Sequence, residues 1–502
     1  MSDEIDNLML LNLFNNQLSL RSLISTKRVG LIIVLMLLLF PKAMAFMDSP
    51  GARLVPMEVM GAFGPGHMGW RHFGQYCKLL SPGTLRGGAL VKLDKPTGDQ
   101  YIYIFCDPDL SRLLLFREEQ IVGRRRPIDI REYGRFITYH GYPELTPGAD
   151  ASKFILGTPA DVVVTSCGSY YDPDKDFIFV LDRGNHKVIK FRYDLATDSL
   201  TMVESFGENI LHDPASIEYA DKNDSDPTND KIFVTDFEPY SVIRFSRDGQ
   251  LETSFMFGNW SHSEVIAPSG IAASYRKENK IYICDYGSKN FHGNGIVAEL
   301  SALDSIRLLD SRTAPTQRHP SPKLTALDTD WHGNIYVADY PLNSIVVFSD
   351  SMFLFYQNIG PEQLGRLFYP SDIYIDGDEM QVCEMWAEST GIASYKIIPD
   401  STRPEQAPIP RRYYLHFPHP LEFSTQTKLS FDICKTEKVQ LKIVDESGRT
   451  VKMLVDDVLP AGTNAVIWNA QNDHGQPTTP GIYYCKMIAA EYEATKKIIY
   501  AK

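Results

Sequence analysis

Six acidic side chains recur at the ends of short apolar runs. They are Asp107 in YIFCD, Asp182 in IFVLD, Asp236 in IFVTD, Asp285 in IYICD, Asp339 in IYVAD and Glu384 in MQVCE. Carboxylates gathered at one mouth can hold a calcium ion or act as general acid and base. Their separations of 75, 54, 49, 54 and 45 residues, however, give each the same place in a repeating unit. A short carboxylate between a strand and a turn accepts backbone N–H groups two residues on and fixes that turn. The six acids are therefore expected to be repeat-structural. Histidine could bring zinc, which needs three or four ligands meeting at one point. His186 lies four residues after its unit's acid, His292 seven after and His332 seven before, so they do not converge.

Nucleophilic chemistry finds no support. The chain has no Cys-x-x-Cys, no phosphate-binding glycine loop and no G-x-S-x-G. Cys106, Cys284 and Cys383 each precede a repeat acid and read as small buried strand residues. Cys434 and Cys485 fall on separate strands, where a disulfide would need the right distance. Two feature classes remain as candidate ligand-binding groups. Arg124, Arg125 and Arg126, with Arg131 and Arg135, form a basic cluster in the long excursion between the first two units and could dock an anion. Asp129 and Glu132 supply counter-charges for the plainer reading, a solvated loop. Tyr170, Tyr171, Trp260, Phe291, His292 and Trp386 fall in inter-strand loops, where exposed aromatics bind glycans or peptides.

The elements that position these residues repeat with them. Phe116, Phe191, Phe245 and Phe348 each lie nine residues after an acid, closing a second strand. Pro159-Ala-Asp-Val, Pro214-Ala-Ser-Ile, Pro268-Ser-Gly-Ile and Pro370-Ser-Asp-Ile open the units, and residues before Gly141, Gly207, Gly258 and Gly360 close them. Four short strands in about 45–50 residues is the size of one propeller blade. The pattern resembles NHL repeats, closest in WHGNIYVADYPLNSIVVF (331–348) and FIFVLDRGNHKVIKF (177–191). Six units over 55–398 imply an NHL-type six-bladed β-propeller. The segment from Val55 to Gly64 is expected to supply the outer strand of the last blade and remove an open edge. The resemblance also brings a rival reading. Peptidyl-amidoglycolate lyases and gluconolactonase-type propellers work at the tunnel mouth with zinc or calcium. No cofactor is expected here, because neither ligand set can be placed.

Residues 399–412 carry Pro399, Pro404, Pro408 and Pro410 and read as a semi-rigid linker ending in Arg411-Arg412. Residues 413–502 then show KLSFDI, VQLKIVD, AVIWNA, GIYYCKMIAA and TKKIIYAK, which suit an immunoglobulin-like β-sandwich. FPHPLEF, VQLKIVDESGRTV, LPAGTNAVIWNA and the terminal KKIIYAK resemble the Ig-like domain of the flagellar hook-capping protein and the C-terminal sorting domain of type IX secretion substrates. The resemblance implies contact with secretion or cell-envelope machinery. His419 and Asn469-Ala470 depart from the family pattern.

At the other end, Lys27-Arg28, an apolar run from Val29 to Phe40 and Ala43-Met44-Ala45 read as an export signal over 1–45, with an atypical acidic start. The run holds 12 residues, short of the roughly 20 a membrane helix needs. Export would place the protein outside the cell or on the outer-membrane surface. The whole chain of 502 residues is too long for one core and carries a net charge of −13, which disfavours nucleic acid. The 26 Tyr and 26 Phe with 34 Gly and 31 Pro favour strands and turns. The sequence thus points to an all-β secreted or surface binding protein for protein or glycan. The rival is a metal-dependent lyase or lactonase.

Overall fold

A computed structural model describes residues 53–56, 85–109, 111–121, 124–134, 145–147, 156–197, 199–221, 228–257, 267–275, 279–286, 295–301, 306–313, 323–349, 355–359, 367, 369–386, 389–398 and 409–501. The signal reading over 1–45 lies outside these residues, as do Arg135, Trp260, Phe291 and His292. Among the described residues no helix is long and apolar enough to cross a membrane.

The fold is all-β. Sheet one contains Arg86–Leu93, Gln100–Asp107, Arg112–Ile121 and Arg124–Gly134, with Leu145–Pro147 added in parallel. Sheet two contains Pro159–Val164, Ile178–Asp182, Lys187–Asp194 and Ser199–Phe206. Sheet three contains Pro214–Ala220, Lys231–Asp236, Ser241–Ser246 and Leu251–Met256. Sheet four contains Pro268–Ala273, Lys280–Asp285, Ile296–Ser301 and Arg307–Thr313. Sheet five contains Leu324–Thr329, Asn334–Asp339, Ser344–Ser349 and Phe355–Ile359. Sheet six contains Pro370–Asp376, Glu379–Trp386 and Ser389–Ile398, and its outer strand is Arg53–Pro56 from the start of the chain. Apart from the added strand, every pairing in these sheets is antiparallel.

The first strands of the sheets touch in order, one to six, and the sixth touches the first. The sheets therefore form a closed ring with these strands innermost. Hydrophobic cores sit between neighbouring sheets rather than within any one of them. Phe191, Phe245 and Phe348 are fully buried in those interfaces, and Phe116 is fully buried too. That explains why the aromatic recurs: each sheet needs one large apolar plug against its neighbour. The prolines that open the units are the first residues of the inner strands. A strand's first residue is a position where the missing N–H costs little.

Each inner strand also carries a register shift near its start, at Arg86/Gly88, Pro159/Asp161, Pro214/Ser216, Pro268/Gly270, Leu324/Leu327 and Pro370/Asp372. A bulge bends the strand and re-aims the side chain beside it. At the bulge the inner strands come very close. A Cβ on Gly87, whose φ is +59°, would lie 2.7 Å from the Asp161 Cα.

The C-terminal part has two sheets around one core. One holds Tyr414–Leu415, Thr427–Ile433 and Gly462–Trp468, and the other Glu422–Phe423, Tyr492–Tyr500, Gly481–Ala489, Glu437–Asp445 and Thr450–Leu459. The strand Thr450–Leu459 is an addition to the five read from the sequence. It is an edge strand with mixed exposure, so it lacks the apolar alternation that marks the others. Trp468 is fully buried between Phe423 and Tyr483, and its indole N–H reaches the Gln471 carbonyl at 3.0 Å. Cys434 and Cys485 are buried free thiols rather than a disulfide.

Candidate functional site

The ring has two ends, because consecutive antiparallel strands turn at alternate ends. One end carries the turns between first and second strands. The other carries the turns between second and third strands, where the repeat acids lie, and the connections that enter each sheet.

Asp182, Asp236 and Asp285 reach back to the connection that enters their own sheet. Asp182 accepts from the Gly157 N–H at 2.9 Å, the Thr158 N–H at 2.9 Å, the Asn185 N–H at 3.3 Å and the Asn185 Nδ2 at 2.7 Å. Asp236 accepts from the His212 N–H at 2.8 Å and the Asp213 N–H at 2.6 Å, and Asp285 from the Ala267 N–H at 3.2 Å. These donors stand just before the inner strand of the same sheet. The residue after each acid answers in the opposite sense. Arg183, Phe237, Tyr286 and Tyr340 donate N–H to the carbonyls of Thr158, Asp213, Ala267 and Lys323. Each acid thus ties a turn to the entry connection beside it. Asp107 instead meets the guanidinium of fully buried Arg112 at 2.8 Å. Asp339 is buried, and burial pushes its carboxyl up to about 7. Glu384 is buried inside a strand that runs on to Trp386, so here the acid does not end a strand.

At this end lies an arc of aromatics that sequence reading passed over. Phe237 and Tyr240 stand 6.3 Å apart, Tyr340 and Tyr369 5.0 Å apart, and Lys323 lies 4.9 Å over the Tyr286 ring. Tyr369 is exposed and held at φ +45° by its N–H bond to the Asn343 side chain at 2.7 Å. A bulky residue at positive φ is costly and persists only where its surroundings impose it. A signal for this arc was present: Phe237, Tyr286 and Tyr340 each follow a repeat acid.

The opposite end is covered. The Phe417 N–H bonds the buried Asp94 carboxylate at 2.7 Å, Lys496 lies 3.7 Å from the same carboxylate, and Tyr414 stacks on Tyr170 at 5.0 Å. Two expected loop aromatics are accordingly placed elsewhere than in an exposed site. Tyr170 packs under the C-terminal sheets with its hydroxyl on Asp99 at 2.8 Å. Tyr171 is buried in the core, donating to the Asp176 carbonyl and accepting from the Tyr193 N–H. Arg124, Arg125, Arg126 and Arg131 fall in the outer strand of sheet one, paired with Arg112–Ile121, and not in a loop. The hairpin simply continues further than its charged sequence suggested. Trp386 ends the second strand of sheet six, opposite Ser389.

Between the two ends runs a channel with a cavity of about 540 Å³. Asp161, Glu218, Asp328 and Asp372 of the inner strands line it. Three of these clamp neighbouring sheets. Asp161 accepts from the Ser216 hydroxyl at 2.6 Å and the Ile217 N–H at 2.9 Å, Asp328 from the Ile375 N–H at 2.6 Å, and Asp372 from the Gly87 N–H. Ser269, Thr325 and Ser371 hydroxyls add bonds to the carbonyls of Leu324, Pro370 and Leu85 in the next sheets. Burial pushes Asp161 up to about 6 and Asp328 up to about 7, against the hydrogen bonds that favour their charge. Burial also raises Asp372 and Glu218, each helped by a neighbouring carboxylate. Among the described residues no group of three His, Cys, Asp or Glu side chains is arranged to hold a metal ion.

The geometry defines an all-β protein whose sheets close into a ring, with a second β unit seated on one end. No family model matches the chain, and no curated relative matches it in sequence. Among solved structures, virginiamycin B lyase from Staphylococcus aureus is similar at 13% identity and a TM-score of 0.36, covering 62% of this chain and 80% of that one. PorZ, a surface component of the type IX secretion system of Porphyromonas gingivalis, is similar at 10% identity and a TM-score of 0.31, covering 83% of this chain and 51% of that one. A nidogen/laminin complex is matched at 14% identity and a TM-score of 0.35, covering 58% of this chain and 87% of that one.

Proposed function

We propose that this is a secreted or cell-surface binding protein. Residues 55–398 are read as a six-bladed NHL-type propeller, and residues 413–502 as an Ig-like domain for type IX-like sorting or anchoring. The ligand is a protein or a glycan. The observation that carries the reading is the aromatic arc on the uncovered end of the ring, with Tyr369 exposed beside Tyr340. Aromatic faces bind sugar rings and peptide side chains with little entropy loss, because the rings are already fixed. The other end is taken up by contacts to the C-terminal sheets, so a ligand meets the arc first.

Two measurements test the two halves of the proposal. The purified chain is screened on a glycan array and an immobilised peptide library. Tyr340→Ala with Tyr369→Ala should weaken the best binder about tenfold or more, as truncating an aromatic anchor does. Unchanged affinity in the double variant would place the site elsewhere, and stoichiometric metal in active protein would favour the enzyme reading. Deleting 413–502 in the producing cell should keep the protein from the surface. Normal surface delivery of the shortened chain removes the sorting role.

A further inference from the structure

The chain passes from ring to C-terminal sheets through Ile409-Pro410-Arg411-Arg412, and the two arginines diverge. Arg412 faces the rim, where Nη1 meets the buried Asp176 carboxylate at 2.5 Å and Nη2 meets the Thr165 carbonyl. Arg411 enters the channel. Its guanidinium carbon lies 4.2 Å from the centre of the Tyr275 ring, and the Tyr275 hydroxyl donates to the Ile409 carbonyl at 3.2 Å. The Arg411 Nε is shut off from solvent and has no hydrogen-bond partner. Glu218 and Asp328 line the same channel from sheets three and five. Lys92, also at the wall, is held 4.6 Å over the Tyr170 ring. An aromatic face in a channel lined by carboxylates is an arrangement that favours a planar cation over a compact one.

We propose that this end of the channel is a guanidinium-recognition site, which the chain fills with its own Arg411. Arg411 is then a tethered ligand that seats the C-terminal sheets over the mouth. The inference is independent of the aromatic arc at the other end.

The test is chemical rescue. Arg411→Ala empties the guanidinium position and leaves room for a small replacement. Methylguanidinium at about 10 mM should raise the melting temperature of R411A by about 2–4 °C, as ligand binding to the folded state does. It should leave the wild type nearly unmoved, and methylammonium at the same concentration should rescue neither. Equal shifts in both proteins, no shift in R411A, or equal rescue by methylammonium would overturn the proposal. If R411A does not fold, trypsin cleavage after Arg411 in the otherwise intact chain decides. Tyr275→Leu should speed that cut about tenfold by removing the ring under the guanidinium, and an unchanged rate overturns the proposal.

Discussion

Asp182→Ala is expected to cost about 2–3 kcal/mol of stability, because it removes the one acceptor that several half-buried donors share. The carboxylate is fully buried and collects the N–H groups of Gly157, Thr158 and Asn185 and the Asn185 amide. Alanine offers none of them an acceptor, and water can reach the half-buried Gly157 and Thr158 N–H groups only in part. The melting temperature should fall by about 2–5 °C. Asp182→Asn should recover part of the loss, since its carbonyl still accepts while its NH2 opposes a donor. Asp194→Ala is the matched control. Asp194 also accepts two backbone N–H groups, from Ala196 at 2.7 Å and Thr197 at 3.2 Å, but in an exposed turn. Water can take over there, and the melting temperature should stay close to that of the wild type. Equal losses in the two variants would mean that tying the entry connection adds nothing.

The second large effect is on pH dependence, and its sign is opposite to ordinary acid denaturation. Asp161 and Asp328 are held at about 6 and about 7 by burial. Unfolded, an aspartate titrates near 3.9. The folded chain therefore binds protons more tightly than the unfolded one, and folding takes protons up. The stability from this difference is complete below about pH 4 and is lost as pH rises through 6 and 7. Arg86 acts on Asp161 and Asp372, and Arg411 on Asp328 and Glu218, so the carboxyls are not raised further. Lowering pH from 8 to 5 should stabilise the chain by about 2–4 kcal/mol. Calorimetry at several pH values should show the rise in the wild type and a smaller rise in Asp161→Asn with Asp328→Asn, because Asp339, Asp372 and Glu218 are raised as well. A melting temperature that falls steadily from pH 8 to pH 5 in both proteins would contradict the assignment.

Much of the ring is legible in the chain because its signals are local. The acids, the plugging phenylalanines and the opening prolines recur with the sheets, and each marks a short-range need. The expected closing strand, Val55 to Gly64, is found nearby as Arg53–Pro56, paired with Ser389–Ile398. The role of the acids was harder. The turn rule is sound, but it describes Asp445 in DESGR, which accepts from the Ser447 N–H at 2.9 Å and the Arg449 N–H at 3.0 Å. Bonds to the Ser447 hydroxyl and that backbone hold its carboxyl down at about 2. Asp182, Asp236 and Asp285 reach back 18 to 25 residues instead, and no local pattern carries that distance.

The channel was harder still. Asp161, Asp328 and Asp372 look like ordinary strand residues until the bulges turn them toward the next sheet. Arg411-Arg412 look like the end of a solvated linker. Their partners lie far away in sequence, with 236 residues between Arg412 and Asp176. Tyr171 was misread for a related reason. It follows a turn, as an exposed loop aromatic would, yet it is drawn into the core between sheets one and two.

The pairing of Arg53–Pro56 with Ser389–Ile398 has a consequence in time rather than in space. The earliest strand of the ring finds its partner only after the last one has been made. At a synthesis rate of about 5–20 residues per second, the gap lasts some tens of seconds. Until then sheet six lacks its outer strand, and the ring has two loose rims able to join other chains. A protein built this way gains from staying unfolded or shielded until its whole length is available. Passage across a membrane as an extended chain, followed by folding on the far side, meets that requirement.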